Sequence, residues 1–316
     1  MKPFDVCALD KSKFLDEGEL KNPEDLISTI LNIINDQNEL SVLFDWENRV
    51  LGATGDSVSA ILELTSTVEV DARTPELGKI LSILGGAAVG KSNVADDPFR
   101  AVNDAMIPVL VDRVANLPAD PNRDELWRNA VTPDSQHSPT EMQASRLNSM
   151  VHIAPLNSAE GFERGTVIKL PDRIRDNFCK EFDVIEADAA SKHFRCKDYG
   201  AEDEKFRWVL VQVQAACDYA QQLPGSLPCY LGLDLPIENI RRNKKGPEAL
   251  WESPSFELDK ESRLLHVNAR FPVSLSGREF EKSEPLYRLR ESILNDLTYR
   301  LHSYGARPGI ISFRSK

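Results

Sequence analysis

The sequence has 316 residues, of which 41 % are hydrophobic and 28 % are charged, and its formal net charge at pH 7 is −12. This length fits about two domains, each large enough to bury an apolar core. The composition excludes collagen-like and disordered chains. No apolar run reaches the roughly 18 residues that a membrane-spanning helix requires, so we expect a protein without a membrane segment.

The acidic residues are concentrated in the first half of the chain. Residues 1–150 hold 13 Lys and Arg and 25 Asp and Glu, and the remaining residues hold equal numbers of each sign. An acidic half repels a phosphate backbone, so nucleic acid is not an expected partner. A basic cluster in the second half is typical of a solvated loop; it consists of Arg241, Arg242, Lys244 and Lys245.

Cysteine usage indicates a reducing compartment. The chain has five cysteines, an odd number for a set of disulfides, and we expect no signal peptide before them. We therefore expect free thiols and a cytoplasmic location. His193 and Cys196 alone do not give the C-x2-C spacing of a structural zinc site, so neither a metal nor another cofactor is expected.

Helical patterns dominate the first half. An apolar run over residues 4–9 predicts one buried strand. Asn22 as N-cap and Pro23 at the first helical position then predict a helix, whose apolar stripe lies within residues 26–34. Helical spacing continues from Glu39 to about residue 70, and two more helices fit residues 75–89 and 98–117. Residues 37–131 are thus predicted to form an acidic helical module.

The pattern changes after a segment at 132–148 that is rich in Pro, Ser, Gln and Thr, which is typical of a linker. Short β-branched or alternating runs then predict strands at Met150–Ala154, Gly165–Leu170, Phe182–Ala187, Trp208–Ala215, Cys229–Leu235, Phe256–Leu258 and Leu264–Leu275. Most of these strands lack a helical crossover between them, which favours a small barrel or a bent antiparallel sheet over a parallel sheet.

The chain is predicted to close with a long helix and a last strand. Apolar residues share one stripe from Glu284 to Tyr304, and Gly305 ends it. Residues 310–313 predict a strand that follows this helix. The predicted fold class is therefore α+β, with a helical module followed by a β-rich domain over residues 149–316 that a C-terminal helix closes.

One stretch matches the phosphate-binding pattern G-x4-G-K-S. Gly85, Gly90, Lys91 and Ser92 occupy its fixed positions, where Lys91 would bind phosphates and the Ser92 hydroxyl would bind magnesium. A working loop follows a buried strand, whereas residues 77–84 have helical spacing and run into Gly85. The sequence therefore favours a helix end with a fortuitous match over a nucleotide-driven switch.

A second candidate site lies after the strand predicted at 208–215, where Cys217 and Asp218 follow each other. An imidazole beside Cys217 would lower the pKa of its thiol toward that of a nucleophile, and His152 or His266, each in a predicted strand, could supply it. In the structural alternative, Cys217 is a small buried apolar side chain and Asp218 caps a short helix. The distance from a histidine to Cys217 discriminates between the two interpretations.

The beginning of the chain resembles the end of a response-regulator receiver domain. Residues 4–12, Phe-Asp-Val-Cys-Ala-Leu-Asp-Lys-Ser, and the helix from Asn22 are similar to the last strand, switch lysine and last helix of that family. The resemblance implies that Lys11 is the switch lysine and that residues 1–36 are a remnant of a receiver domain. It also implies that the chain is the C-terminal part of a longer receiver protein, or a relative whose receiver domain has eroded.

Three further stretches, residues 44–47, 215–221 and 306–311, resemble the C-terminal region of an uncharacterised bacterial group of receiver-domain proteins. That group is associated with phage-defence or restriction-like operons, beside a histidine-kinase-like ATPase. The resemblance implies a signalling or defence component that couples a receiver-type input to a protein partner such as this ATPase. Long amphipathic helices agree with partner binding without catalysis. The alternative is a hydrolase or nuclease-like effector that uses Cys217, Asp218 and a histidine.

Overall fold

A computed structural model of the chain describes residues 11–16, 19–35, 38–65, 67, 69–118, 120–131, 138–154, 156, 163–221, 225–241 and 246–306. The chain divides into two compact units, Met1–Gln136 and His137–Lys316. The strands predicted at residues 4–9 and 310–313 lie outside the described residues, as do Arg242, Lys244 and Lys245 of the basic cluster.

The first unit is helical, as the sequence predicts. Its elements are α1 (Lys11–Phe14), β1 (Leu15–Asp16), β2 (Glu19–Leu20), α2 (Pro23–Asn35), α3 (Asn38–Glu63), α4 (Val70–Val89), α5 (Pro98–Ala115) and α6 (Pro121–Ala130). Helix α4 packs against α5, and α3 packs against α2, α5 and α6. Among the described residues of this unit, the buried apolar side chains are only Val42, Ala53, Val89 and Ala101.

A buried carboxylate connects α3 and α6 where apolar packing is sparse. Asp45 is 9 % exposed, and its Oδ2 accepts a hydrogen bond from the Trp127 indole at 2.8 Å. Arg123 of α6 and Arg49 of α3 form ion pairs with the same carboxylate, at 3.1 Å and 3.4 Å. Charge pairing and hydrogen bonding satisfy Asp45, which is what a buried charge requires.

The second unit combines a sheet with helices. Its elements are α7 (Glu141–His152), β3 (Ile153–Ala154), β4 (Thr166–Lys169), α8 (Asp172–Arg175), α9 (Phe178–Phe182), α10 (Glu186–Asp188), a π-helical turn (Ala189–His193), β5 (Arg207–Gln212), α11 (Ala216–Ala220), β6 (Ser226–Pro236), a 3-10 turn (Ile237–Asn239), β7 (Leu250–Glu252), β8 (Phe256–Leu258), β9 (Glu261–Ser276), α12 (Gly277–Glu281), β10 (Pro285–Leu289) and α13 (Glu291–Gly305).

The sheet of the second unit is an antiparallel half-barrel. Its strand order is β3-β10-β4-β5-β6-β9-β7. The short strand β8 also pairs with β9. Side chains alternate across it: Trp208 and Leu210 of β5 belong to one apolar cluster, and Val209 and Val211 belong to the other. The predicted α+β class, with a helical region, a bent antiparallel sheet and a C-terminal helix, is confirmed.

Different segments cover the two faces of the sheet. On one face, the short helices between β4 and β5 contribute Phe178, Ala190 and Phe194 to the core. On the other face, α13 contributes Leu294 and Leu297, both of which are completely buried. A sheet that is covered on both faces needs apolar residues at successive positions, which explains the continuous apolar run of β5.

The segment predicted as a linker is in part a helix. α7 begins at Glu141, within the expected linker 132–148. Its start is a capping box: the Thr140 hydroxyl accepts a hydrogen bond from the Gln143 N–H at 3.3 Å, and the Gln143 side chain accepts one from the Thr140 N–H at 2.9 Å. The low apolar content of this segment obscured the capping signal in the sequence.

Three predicted elements have a different secondary structure. Residues 285–289 of the predicted closing helix form β10, because Arg288 and Leu289 pair with Ala154 and Ile153 at the end of the sheet. Residues 182–187, predicted as a strand, span the end of α9 and the beginning of α10. Most of the strand predicted at Met150–Ala154 is the end of α7.

Candidate functional site

Cys217 and Asp218 lie in α11, shortly after β5 ends. The Cys217 thiol is exposed and donates a hydrogen bond to Oδ1 of Asp218 at 3.3 Å. The interpretation of Cys217 as a small buried apolar side chain is therefore wrong. Asp218 is inside the helix, whose N-cap is Ala215, so it does not cap the turn either. The pair is an exposed thiol beside an adjacent carboxylate.

The two candidate histidines have other partners. His152 ends α7, not a strand, and its carbonyl oxygen accepts a hydrogen bond from the Arg290 N–H at 2.8 Å. His266 lies on β9, where it is paired with Leu233 of β6. Within the part of the chain that the structure describes, no hydrogen bond or ion pair connects either histidine to Cys217 or Asp218. The four candidates are thus not brought together by such contacts.

His266 belongs to a polar cluster at the β7 side of the sheet. Its Nδ1 lies 2.6 Å from the carbonyl oxygen of Phe194, and since a carbonyl can only accept, Nδ1 carries the proton. Its Nε2 lies 4.0 Å from Oε1 of Glu252, which also accepts a hydrogen bond from Arg195 at 2.5 Å. Burial lowers the pKa of His266, while the Phe194 carbonyl and Glu252 oppose this effect.

This cluster can accept a proton, but it is enclosed. The His266 side chain is completely buried, so a substrate could reach Nε2 only if neighbouring side chains moved. The sequence indicates His266 as a candidate but gives no signal for its partners Glu252 and Arg195. Glu252 pairs with His266 across β7 and β9, and Arg195 precedes β5, so no short spacing connects the three residues.

A second buried polar cluster connects three strands. Nε of Arg263 on β9 donates to Oδ1 of Asp234 on β6 at 2.6 Å, and the Tyr287 hydroxyl on β10 donates to Oδ2 at 3.3 Å. Arg263 also donates to Glu261 at 2.9 Å and to the carbonyl of Lys205 at 2.6 Å. Both buried charges are thus paired and hydrogen-bonded, which offsets the cost of removing them from water. Its sequence signal was a carboxylate within the apolar run of β6.

The residues that match the phosphate-binding pattern form the end of a helix. α4 continues through Gly85 to Val89, and Gly90 follows it with a φ of 87°, a conformation that favours glycine. Lys91 and Ser92 lie in the turn between α4 and α5. The prediction of a helix end is confirmed. A phosphate-binding loop needs a preceding strand, so the interpretation as a nucleotide-driven switch is wrong.

The apolar stripe predicted on α2 faces solvent. Ile27, Ile30 and Leu31 lie at helical spacing on one side of this helix, and each is between 40 % and 55 % exposed. An amphipathic helix in a single domain normally buries such a stripe. Helix α2 therefore presents an apolar surface that a partner could cover.

Helix α3 has a similar exposed surface, which we call the α3 stripe: Phe44, Leu51, Val58 and Leu62, each between 47 % and 62 % exposed. These residues follow one another at intervals of seven, seven and four, so they share one side of the helix. Phe44 lies in one of the stretches that carry the resemblance to receiver-associated proteins. This side of α3 has the composition of an interaction surface.

Comparison of the chain with protein-family models, with curated proteins and with solved structures finds no match. The resemblances to receiver domains and to their phage-defence-associated relatives therefore stay predictions. Lys11, the expected switch lysine, is the first residue of α1. Within the described residues, no helix is both long and apolar enough to cross a membrane, and no group of three His, Cys, Asp or Glu residues is placed to hold a metal ion.

Proposed function

We propose that the protein binds a partner protein through its acidic helical unit. The observation that supports this proposal is the position of the apolar surfaces of α2 and α3, which lie in solvent and not in a core. Contiguous apolar surface on a soluble protein marks an interaction site more often than it arises without a role.

The energetics of the helical unit agree with this proposal. Four apolar side chains are buried among its described residues. Transfer of one further Leu, Ile or Phe side chain from water to an interface contributes about 1.5–3 kcal/mol. A partner that covers the exposed residues of α2 or α3 would therefore gain binding energy that the isolated unit leaves unused.

In this proposal the protein is a non-catalytic component of a signalling or defence system. The receiver-type input and the histidine-kinase-like ATPase come from the resemblance of the sequence, and the ATPase is the partner to test first. The effector alternative finds no support in the surroundings of Cys217, whose thiol bonds to the adjacent Asp218 and to neither candidate histidine among the described residues.

In the test, the purified full-length protein captures partners from an extract of its native cells. Mass spectrometry identifies the captured proteins, and each purified candidate partner is then measured for direct binding. We expect one partner to bind both the wild-type protein and the variant Cys217→Ala/Asp218→Ala. The same partner should not bind Leu31→Glu/Leu51→Glu, because this variant places charge on both exposed surfaces. A partner that binds this variant as tightly as wild type would refute the proposal. So would a purified candidate that fails to bind wild type.

A further inference from the structure

The exposed face of α3 that carries the α3 stripe has the residue spacing of a coiled-coil seam, and we call this face the α3 seam. Its positions follow one another at intervals of four, three, four, three and four residues, and all of them are exposed: Phe44, Asn48, Leu51, Gly55, Val58 and Leu62. Alternating intervals of three and four are those of the a and d positions of a heptad repeat. This seam occupies most of a helix of 26 residues, Asn38–Glu63.

Among its described residues, α3 buries no large apolar side chain on the opposite face, and Trp46 on that face is 54 % exposed. The side chains buried there are Val42, Asp45, Ala53 and Ser57. The Ser57 hydroxyl donates to the Ala53 carbonyl of its own helix at 2.7 Å. The seam thus holds four exposed apolar side chains that are available for an intermolecular contact, whereas the buried residues of α3 make its contacts within the unit.

Two positions of the seam have properties that a helical partner could use. Gly55 has no side chain, and a Cβ added there would meet no atom within 4 Å, so a partner backbone can approach α3 closely at this point. Asn48 is a polar residue between Phe44 and Leu51. A single polar residue in a coiled-coil seam fixes the register of the two helices, at some cost in stability.

The charge around the seam defines the chemistry of its partner. Among the described side chains of α3, the exposed charged ones are the carboxylates of Glu47, Asp56 and Glu63. In the heptad of the seam, Glu47 is at a g position directly beside it, and Asp56 and Glu63 are at b positions farther round the helix. The only basic residue in the sequence of α3 is Arg49, which forms an ion pair with Asp45 at 3.4 Å. Complementary charge beside an apolar seam determines which helices pair.

We propose that the α3 seam binds an amphipathic helix of a partner protein, whose own apolar seam is flanked by Lys and Arg. This inference rests on the proposed function and names the partner chemistry. A second copy of α3 is a poorer occupant, because two acidic helices side by side repel each other. The partner helix replaces solvent on the seam and places a basic residue beside Glu47, while Asp56 and Glu63 add negative charge farther round α3.

The first test measures binding of synthetic helices to the full-length protein by fluorescence anisotropy. One labelled peptide has about four heptads, with Leu or Ile at a and d and Lys or Arg at e and g. A matched peptide has Glu at e and g, and a third has the basic composition in scrambled order. We expect the basic amphipathic peptide to bind at least about tenfold more tightly than either control. Equal or absent binding would overturn the proposal without the use of any variant.

The second test locates the peptide on α3. In Leu51→Glu/Val58→Glu both substituted side chains are exposed, so we expect an unchanged helical circular dichroism spectrum and at least about tenfold weaker peptide binding. The control is Leu43→Glu on the same helix. Leu43 is 62 % exposed, as Leu51 is, but it is rotated by about 100° from Phe44. We expect this control to bind within about twofold of wild type, since it adds the same kind of charge, once instead of twice, at a position off the seam.

Light scattering of the protein alone tests the competing occupant. A dimer that Leu51→Glu/Val58→Glu dissociates and Leu43→Glu does not would assign the seam to a second copy and overturn the proposal. Failure of the inference is distinguishable from failure of the proposed function. Suppose that the basic peptide does not bind the seam, but that wild type still captures a partner that does not bind Leu31→Glu/Leu51→Glu. In that case the inference fails and the proposed function stands.

Discussion

His266 is a residue whose ionisation the fold opposes. Its ring is completely buried, its Nδ1 donates to the Phe194 carbonyl, and the charges nearest to it are those of Glu252 and Arg195. Burial is the largest cause of the lowered pKa. The folded protein therefore holds this histidine neutral at a pH where the unfolded chain would protonate it.

The consequence is a pH dependence of stability with a defined sign. His266 is protonated below about pH 6.5 in the unfolded state and only at lower pH in the folded state. The unfolded state thus binds the additional proton in this window, and stability falls as the pH decreases below about 6.5.

Urea unfolding at pH 7.5 and pH 5.5 measures this effect. We expect wild type to lose stability between the two pH values, and His266→Gln to lose less, whatever its absolute stability. His302→Gln is the control, because His302 is an exposed histidine on α13. A loss of stability in His266→Gln as large as that in wild type would assign the pH dependence to other groups.

The free cysteines provide a separate prediction at the residue scale. Cys179 and Cys217 are exposed, whereas Cys196 and Cys229 are buried, and burial raises the pKa of each of these two thiols to about 12. Since the thiolate is the reactive form, iodoacetamide should modify Cys179 and Cys217 in the native protein and the buried pair only after denaturation. Peptide mass spectrometry measures the labelling. Native labelling of Cys229 at the rate of Cys217 would contradict the structure.

At the scale of the element, α13 is stabilised by one buried stripe. Leu294 and Leu297 are fully buried in the cluster that includes Val209 and Val267 of the sheet. We expect Leu294→Ala or Leu297→Ala to destabilise the second unit by about 2–5 kcal/mol, from lost apolar burial and the cavity that remains. Tyr299→Ala on the same helix is the control, since Tyr299 is 70 % exposed. Equal midpoints of urea unfolding for all three variants and wild type would show that this stripe does not contribute to the core.

The sequence predicted the elements whose signals are local. The helix end at Val89, the strand β5 and the stripe of α13 all follow from periodicity and capping within one segment. Strand β10 could not be separated from α13, because its extended conformation depends on pairing with β3 and β4. The same limit applies to the site: the sequence indicates His266, but the register of distant strands determines its partners.

The apolar stripe of a helix, read from the sequence, does not reveal whether that side of the helix is buried or exposed. The sequence predicted the apolar side of α2, yet Ile27 and Leu31 remain exposed in the folded unit. Periodicity gives the position of apolar residues around the helix axis, whereas the packing of neighbouring helices decides which side is buried. For α3, that packing uses Asp45, whose contact with Trp127 connects residues 82 positions apart.

At the scale of the whole molecule, the two units differ in how much apolar surface they bury. Among the described residues, 35 apolar side chains are buried in the second unit and four in the first. Burial of apolar surface is the largest favourable contribution to folding, so the free energy of local opening should be lower in the helical unit. The hydrogen bonds of α3 and α4 should therefore open more often than those of β5 and β6.

Amide hydrogen exchange of the full chain, followed by mass spectrometry of its peptides, measures this difference. We expect peptides from α3 and α4 to exchange at least about tenfold faster than peptides from β5 and β6, because every 1.4 kcal/mol of opening free energy is a factor of about ten. Peptides from α13 are an internal control, since this helix packs on the sheet and should be protected as the strands are. If α3 is protected as strongly as β5 while α13 is protected too, burial of apolar side chains does not determine the stability of the helical unit. Its ionic contacts around Asp45 would then be the first interactions to remove.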